Sequence, residues 1–283
     1  MLEIKMLFHN VGPFLRGARK IGFKRTLAEI LDYLDIGVHY SRIECPVMAY
    51  PLKVSGNTAY WEKFERGEWE IDCITYISNV LRGGQVILDI GAWIGPYTLL
   101  FAKSVKDGGS VYAFEPDSWA RRILSRNVKL NGLTNVKIYD FAITNFIGRS
   151  KLQAYGQWGD SMANLEGRKL KGTSRYIRVK TTTVDEFCRE RLIRPDGMKI
   201  DVEGAEAQVV AGSQNVIREC HPWILVEFHG QFMTEGDRRR NWSIITGSAR
   251  KVTYLQGSST RYSYGSEVTS MPDCPYFHVF VEY

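Results

Sequence analysis

Residues 85–95 read QVILDIGAWIG, and this stretch decides the fold. QVILDI is an almost unbroken apolar run, the signature of a strand buried on both faces. Gly91 and Gly95 follow it, and a helix is expected over 96–103. Pro96 suits the first turn of that helix. A buried strand, a glycine turn and a helix open a βαβ unit, in which ligands sit outside the carboxyl ends of the strands. Gly91 adopts turn conformations that side chains resist and lets the backbone approach a ligand. Gly95 lets the helix start tight against the sheet.

The next strand, 110–114 (SVYAF), ends in Glu115-Pro116. An acid at that point accepts hydrogen bonds from both hydroxyls of a ribose. The loop lacks the third glycine of the dinucleotide fingerprint, and no phosphate-binding Lys-Ser/Thr follows. The pattern therefore favours an adenosine without phosphates, which is S-adenosyl-L-methionine (SAM). The plainer reading is a glycine turn beside an exposed acid.

Outward from this unit, strands and helices alternate. Helices are expected over 117–130, 184–192, 206–218 and 238–245, and strands over 136–143, 197–202, 223–228, 251–256 and 276–283. Such alternation makes a mostly parallel sheet with helices on both faces and right-handed crossovers. Residues 144–183 break the rhythm. Two β-type runs, SKLQAY and YIRVKTTT, flank the loop 158–174 and read as an inserted hairpin with a mobile flap. Upstream, 26–34 and 70–82 read as helices, the second stopped by Gly83-Gly84. Residues 1–67 are expected to form a helical N-terminal extension, and 68–283 the main domain.

The bulk properties exclude other classes. Of the 283 residues, 44% are hydrophobic and 24% charged, which rules out a disordered or fibrous chain. The five cysteines make no CxxC pair, so neither a disulfide framework nor a zinc site is expected. No secretory leader or membrane-spanning run is read, and a cytoplasmic protein is expected. The net charge of +6 is mostly scattered. One basic segment stands out, with Lys5, Arg16, Arg19, Lys20, Lys24 and Arg25 facing Glu3 alone. That segment would suit RNA or a peripheral membrane contact, or simply a solvated helix face.

The motifs DIGAWIGPYTL (89–99), FEP (114–116), NVKLNG (127–132), TTTVDEF (181–187), KIDVEGAE (199–206) and ILVEFHG (224–230) together resemble the FkbM family of SAM-dependent methyltransferases. KIDVEGAE is the most specific of them. The resemblance implies a class I methyltransferase, Rossmann-like α/β fold: a seven-stranded, mostly parallel sheet whose last strand is antiparallel. It also implies O-methylation of a hydroxyl on a sugar, glycan or natural product. In that likeness Asp89, Gly91 and Gly95 would line the methionine part of SAM, Glu115 would hold the ribose, and Asp140 and Phe141 would flank the adenine. Ala92, Thr98, Pro116 and Asp201 complete the implied cofactor set.

Three residues at the ends of the fourth and fifth strands are candidates for the chemistry. Asp201 and His229 each suit a general base, and Glu203 either joins them or begins the next helix. A divalent cation would also suit such a cluster, but no metal ligand is assigned. Two other functions compete. The basic N-terminus, Arg238-Arg239-Arg240 and the charged loop 168–171 favour an RNA methyltransferase, although no RNA-binding signature is present. A binding module that has lost catalysis is the other, against which the intact Asp89, Gly91, Gly95 and Glu115 stand.

Overall fold

The computed structural model describes residues 40–45, 47, 51–106, 108–154, 164–165 and 175–283. The expected helix at 26–34, the basic N-terminal segment and almost all of the loop 158–174 lie outside them.

The main sheet has seven strands in the spatial order β12-β13-β11-β10-β3-β4-β5. These are β3 Val86–Ile90, β4 Ser110–Phe114, β5 Val136–Tyr139, β10 Gly197–Ile200, β11 Trp223–His229, β12 Lys251–Gly257 and β13 Tyr276–Glu282. Adjacent strands from β11 to β5 run parallel, and β13 lies antiparallel between β11 and β12. The expected seven-stranded sheet with an antiparallel last strand is present.

Helices cover both faces. On one side α1 Thr58–Glu65, α2 Ile71–Val80, α3 Pro96–Val105 and α4 Ser118–Leu130 pack around Ile87, Leu99, Phe101 and Leu124. On the other, α5 Val184–Arg191, α6 Glu206–Ala211, α7 Gln214–Cys220 and α8 Glu235–Thr246 enclose Leu88, Met198, Val226 and Phe228.

Three expectations are corrected. The described part of the N-terminal extension is not wholly helical: β1 Ser41–Ile43 and β2 Leu52–Val54 form an antiparallel pair before α1. It also shares the core of α2–α4, tied there by buried Asn127, whose amide joins Ser55 and the carbonyl of Ile94. The third strand, expected over 136–143, divides at Asp140. β6 Phe141–Ile143 leaves the main sheet to pair with β9 Arg175–Thr182. With β7 Gly148–Ala154 and β8 Asn164–Leu165 they make a second sheet, ordered β6-β9-β7-β8, that contains the inserted hairpin. The helix expected over 206–218 breaks at Gly212-Ser213. A side chain at Gly212 would stand 2.3 Å from the carbonyl oxygen of Thr144, so only glycine fits at the break.

Side-chain alternation decides where the chemistry lies. Successive residues of a strand face opposite sides, and the register aligns Lys199 with Asp89 and Glu227 with His278. These four buried polar residues share the α1–α4 side of the sheet with Ile87, Leu225 and Phe280. A row of charge thus crosses an otherwise apolar face.

Candidate active site and cofactor cleft

A cleft of about 520 Å³ opens at the carboxyl ends of β3, β4, β10 and β11. Its walls include Gly91, Glu115, Pro116, Phe141, Asp201, Glu203 and His229 from the candidate set. Asp89, Ala92, Gly95 and Thr98 support the glycine turn from behind. Thr98 donates its hydroxyl to Asp89 Oδ2 at 2.5 Å, and Gly95 starts α3 in a left-handed conformation against Leu124. Asp140 stands apart. It is exposed, 3.5 Å from Lys180, and is not among the residues on the cleft wall. Phe141, Ala142, Ile143 and Leu152 form the apolar wall at that end.

Glu115 is held in place before any ligand arrives. Its Oε2 accepts from Trp93 N–H and its Oε1 from Asp117 N–H, both at 2.8 Å. Each oxygen keeps a further lone pair for the cleft. Burial, with Asp117 adding to it, raises this carboxyl to about 7 despite those two bonds.

Lys199 was not foreseen as part of the site. A lysine in the buried strand GMKI was the available signal, because a fully buried lysine needs a partner. It donates to Asp201 Oδ2 at 2.7 Å and to the Gly91 carbonyl at 3.3 Å. Burial would lower this amine, but Asp201 and Asp89 outweigh it and hold it charged. Asp201 is pushed well above the usual carboxylate range by burial and by Glu227, against the pull of Lys199.

His229 is 3% exposed and surrounded by acids. Its Nδ1 lies 2.9 Å from Glu206 Oε1, and its Nε2 lies 3.3 Å from Glu227 Oε1 and 3.6 Å from Glu203 Oε1. Burial alone would lower the ring, yet the bonds to Glu206 and Glu227 raise it well above the usual imidazole range. Behind it His278 Nε2 sits 3.4 Å from both Glu70 Oε2 and Glu227 Oε2.

Backbone strain gathers here too. Glu70, Trp93 and Glu203 adopt left-handed φ values of 44°, 47° and 56°, and all three line the cleft. Such conformations cost about 1–3 kcal/mol each unless the surroundings fix them. Trp93 and Tyr60 meet edge to face at 4.6 Å, and Trp69 meets Tyr60 at 5.1 Å. The buried Tyr60 hydroxyl has no hydrogen-bond partner among the described residues.

A Rossmann-like sheet of this strand order, with a glycine turn and a fixed acid on the second strand, defines a class I methyltransferase. Residues 89–261 match the model of the methyltransferase FkbM domain, and the chain belongs to that family. Its methyl donor is SAM.

The chain is also similar to the ribosomal protein L11 methyltransferase of Caldanaerobacter subterraneus subsp. tengcongensis. The two are 33% identical over 79 residues, 28% of this chain and 25% of that protein. A tRNA (guanine(37)-N(1))-methyltransferase of Pyrococcus abyssi is 33% identical over 60 residues, 21% of this chain and 17% of that protein. The matches thus span a quarter or less of these curated relatives. The crystal structure of an FkbM methyltransferase from Methylobacillus flagellatus KT aligns with 99% of this chain and 60% of its own, at 14% identity and a TM-score of 0.47.

The cleft fits the donor. Glu115 offers two acceptors, the wall from Pro116 to Leu152 is apolar, and the Tyr60 hydroxyl is a spare donor. Lys63 is the one lysine or arginine on the described wall, as suits an adenosyl group without phosphates.

Proposed function

We propose that the protein is a SAM-dependent O-methyltransferase acting on a hydroxyl of a sugar, glycan or other polyhydroxylated small molecule. One observation carries this reading: in a chain of net charge +6, the inner end of the cleft is walled by Glu70, Asp201, Glu203 and Glu227. Carboxylates accept hydrogen bonds from hydroxyls and repel phosphates. Beside them Tyr60, Trp69 and Trp93 offer flat apolar faces of the kind on which sugar rings stack.

When bound, the cofactor supplies a methyl group on a positively charged sulfur, already a good electrophile. The chain's work is to hold, orient and exclude. Glu115 anchors the ribose. Asp201, fixed by Lys199, accepts the hydrogen of the acceptor hydroxyl and takes its proton as the oxygen attacks. The aromatic wall keeps competing water from the methyl group.

RNA is the second reading, prompted by the tRNA-modifying relative. The arginine run does not favour it. Arg238 and Arg239 lie 3.2 and 2.9 Å from Glu235, and Arg240 lies 3.6 Å from Asp237, all on α8. Among the described residues no helix is long and apolar enough to cross a membrane. The five free cysteines suit a reducing cytoplasm.

The test is a transfer assay with methyl-labelled SAM, offering small molecules and glycans in one arm and RNA in the other. Label in a glycosidase-sensitive or low-mass product supports the reading. Label confined to an RNase-sensitive polymer overturns it.

A further inference from the structure

The ends of β10 and β11 carry a second kind of chemistry. We propose that Asp201, Glu227 and His229 bind one divalent cation, of the Mn²⁺ or Mg²⁺ type, on the acceptor side of the cleft. The inference deepens the hydroxyl-methylation reading and rests on it.

The spacing is right for a single ion. One ligand atom from each of the three residues lies within 4.8 Å of the other two. Metal–ligand bonds of about 2.1–2.4 Å separate adjacent ligands by about 3–3.4 Å and opposite ligands by about 4.2–4.8 Å. The 3.3 Å between His229 Nε2 and Glu227 Oε1 is an adjacent pair. Glu203 Oε1, 3.6 Å from the same nitrogen, is near enough to join.

The second observation concerns the ring's other side. His229 Nδ1 faces Glu206 Oε1 at 2.9 Å, and Glu206 is 1% exposed and receives Gly204 N–H at 2.8 Å. A carboxylate behind one ring nitrogen fixes the tautomer and aims the other nitrogen forward, as it does behind metal-bound histidines. Glu227 has His278 Nε2 behind its far oxygen, Oε2, at 3.4 Å, while Oε1 accepts from the Tyr276 hydroxyl at 2.5 Å.

The donor set selects the ion. Two carboxylates outnumber the one imidazole and no thiolate is present, a set that suits Mn²⁺ or Mg²⁺. All three residues line the cleft, so further positions stay open to an acceptor oxygen. An oxygen held by the ion loses its proton more readily. That proton passes to a carboxylate of the cluster while the oxygen–methyl bond forms and the carbon–sulfur bond breaks, the sulfur leaving as a neutral thioether. Asp201 then serves as a ligand, and Glu203 on the same cleft wall takes the proton.

Mn²⁺ titration of the full chain without SAM, followed by electron paramagnetic resonance, tests the site. One bound ion per chain is expected, with binding at least tenfold weaker in His229→Ala and in Glu227→Gln. The second variant keeps its shape and carries the test if the first does not fold, and Glu206→Gln should weaken the ion by about tenfold or more. No bound Mn²⁺ in the wild type, or equal binding in folded variants, overturns the proposal. Full methyl transfer in the presence of a chelator removes the cation and leaves the proposed function standing.

Discussion

A methyl group placed on Gly91 would lie 1.7 Å from the carbonyl oxygen of Asp201. The glycine that opens the cofactor turn is therefore required by the end of β10 as well as by any ligand. Gly91 also has a φ of 81°, so the position excludes a side chain twice over. Gly91→Ala is expected to lose more than about 3 kcal/mol of stability, read as a large drop in melting temperature. Gly84 is the control: its φ is 85°, but nothing lies within 4 Å of the added carbon. Gly84→Ala should cost only about 1 kcal/mol, and equal losses at both positions would contradict the close approach.

Glu115 is expected to dominate SAM affinity. Glu115→Ala removes acceptors from buried ribose hydroxyls, at about 1.5–3 kcal/mol or ten- to a hundredfold in Kd. Calorimetry on the folded variant gives the answer, and unchanged affinity would remove Glu115 from the ribose.

The same carboxyl makes SAM binding depend on pH. Ribose hydroxyls donate to the charged form, so binding lowers a proton affinity that stands at about 7 in the free protein. Affinity should be full above pH 7 and fall about tenfold per pH unit below it. Glu115→Gln should be weak throughout and nearly flat between pH 6 and 8. A wild-type affinity that does not change over that range would show that the group is already charged.

Lys199→Met should destabilise the fold and disturb the site together. It leaves Asp89 and Asp201 without their shared buried cation, and stranding a buried charge costs about 3–5 kcal/mol. A fall of about 10 °C in melting temperature is expected. A variant as stable as the wild type would mean that the pair contributes nothing to folding.

Asp201→Asn should lower turnover by about a hundred- to ten-thousandfold while changing SAM affinity far less. Loss of a proton acceptor and loss of a cation ligand both give that result, so metal binding is measured separately. Near-normal turnover in the folded variant, measured with whichever acceptor the transfer assay identifies, would take the role from Asp201.

The sequence by itself determined the local elements and the glycine turn and acid at one end of the cleft. A buried strand, a glycine turn and an acid closing the next strand are short-range patterns, and each survives in the structure from Val86 to Pro116. Alternation of strands and helices likewise fixes a parallel sheet without knowledge of any contact. Choice of pairing partner does not appear in such patterns. Residues 136–143 read as one strand, yet only the hydrogen-bonded neighbours reveal that β5 and β6 belong to different sheets. The acidic end of the cleft was hidden for the same reason. Lys199, Glu227 and His278 are far apart in the chain, and strand register with side-chain alternation brings them onto one buried face, where Glu70 at the start of α2 meets His278. The proton affinities of Lys199, Glu227 and His278 follow from that packing, because burial and neighbouring charge set them.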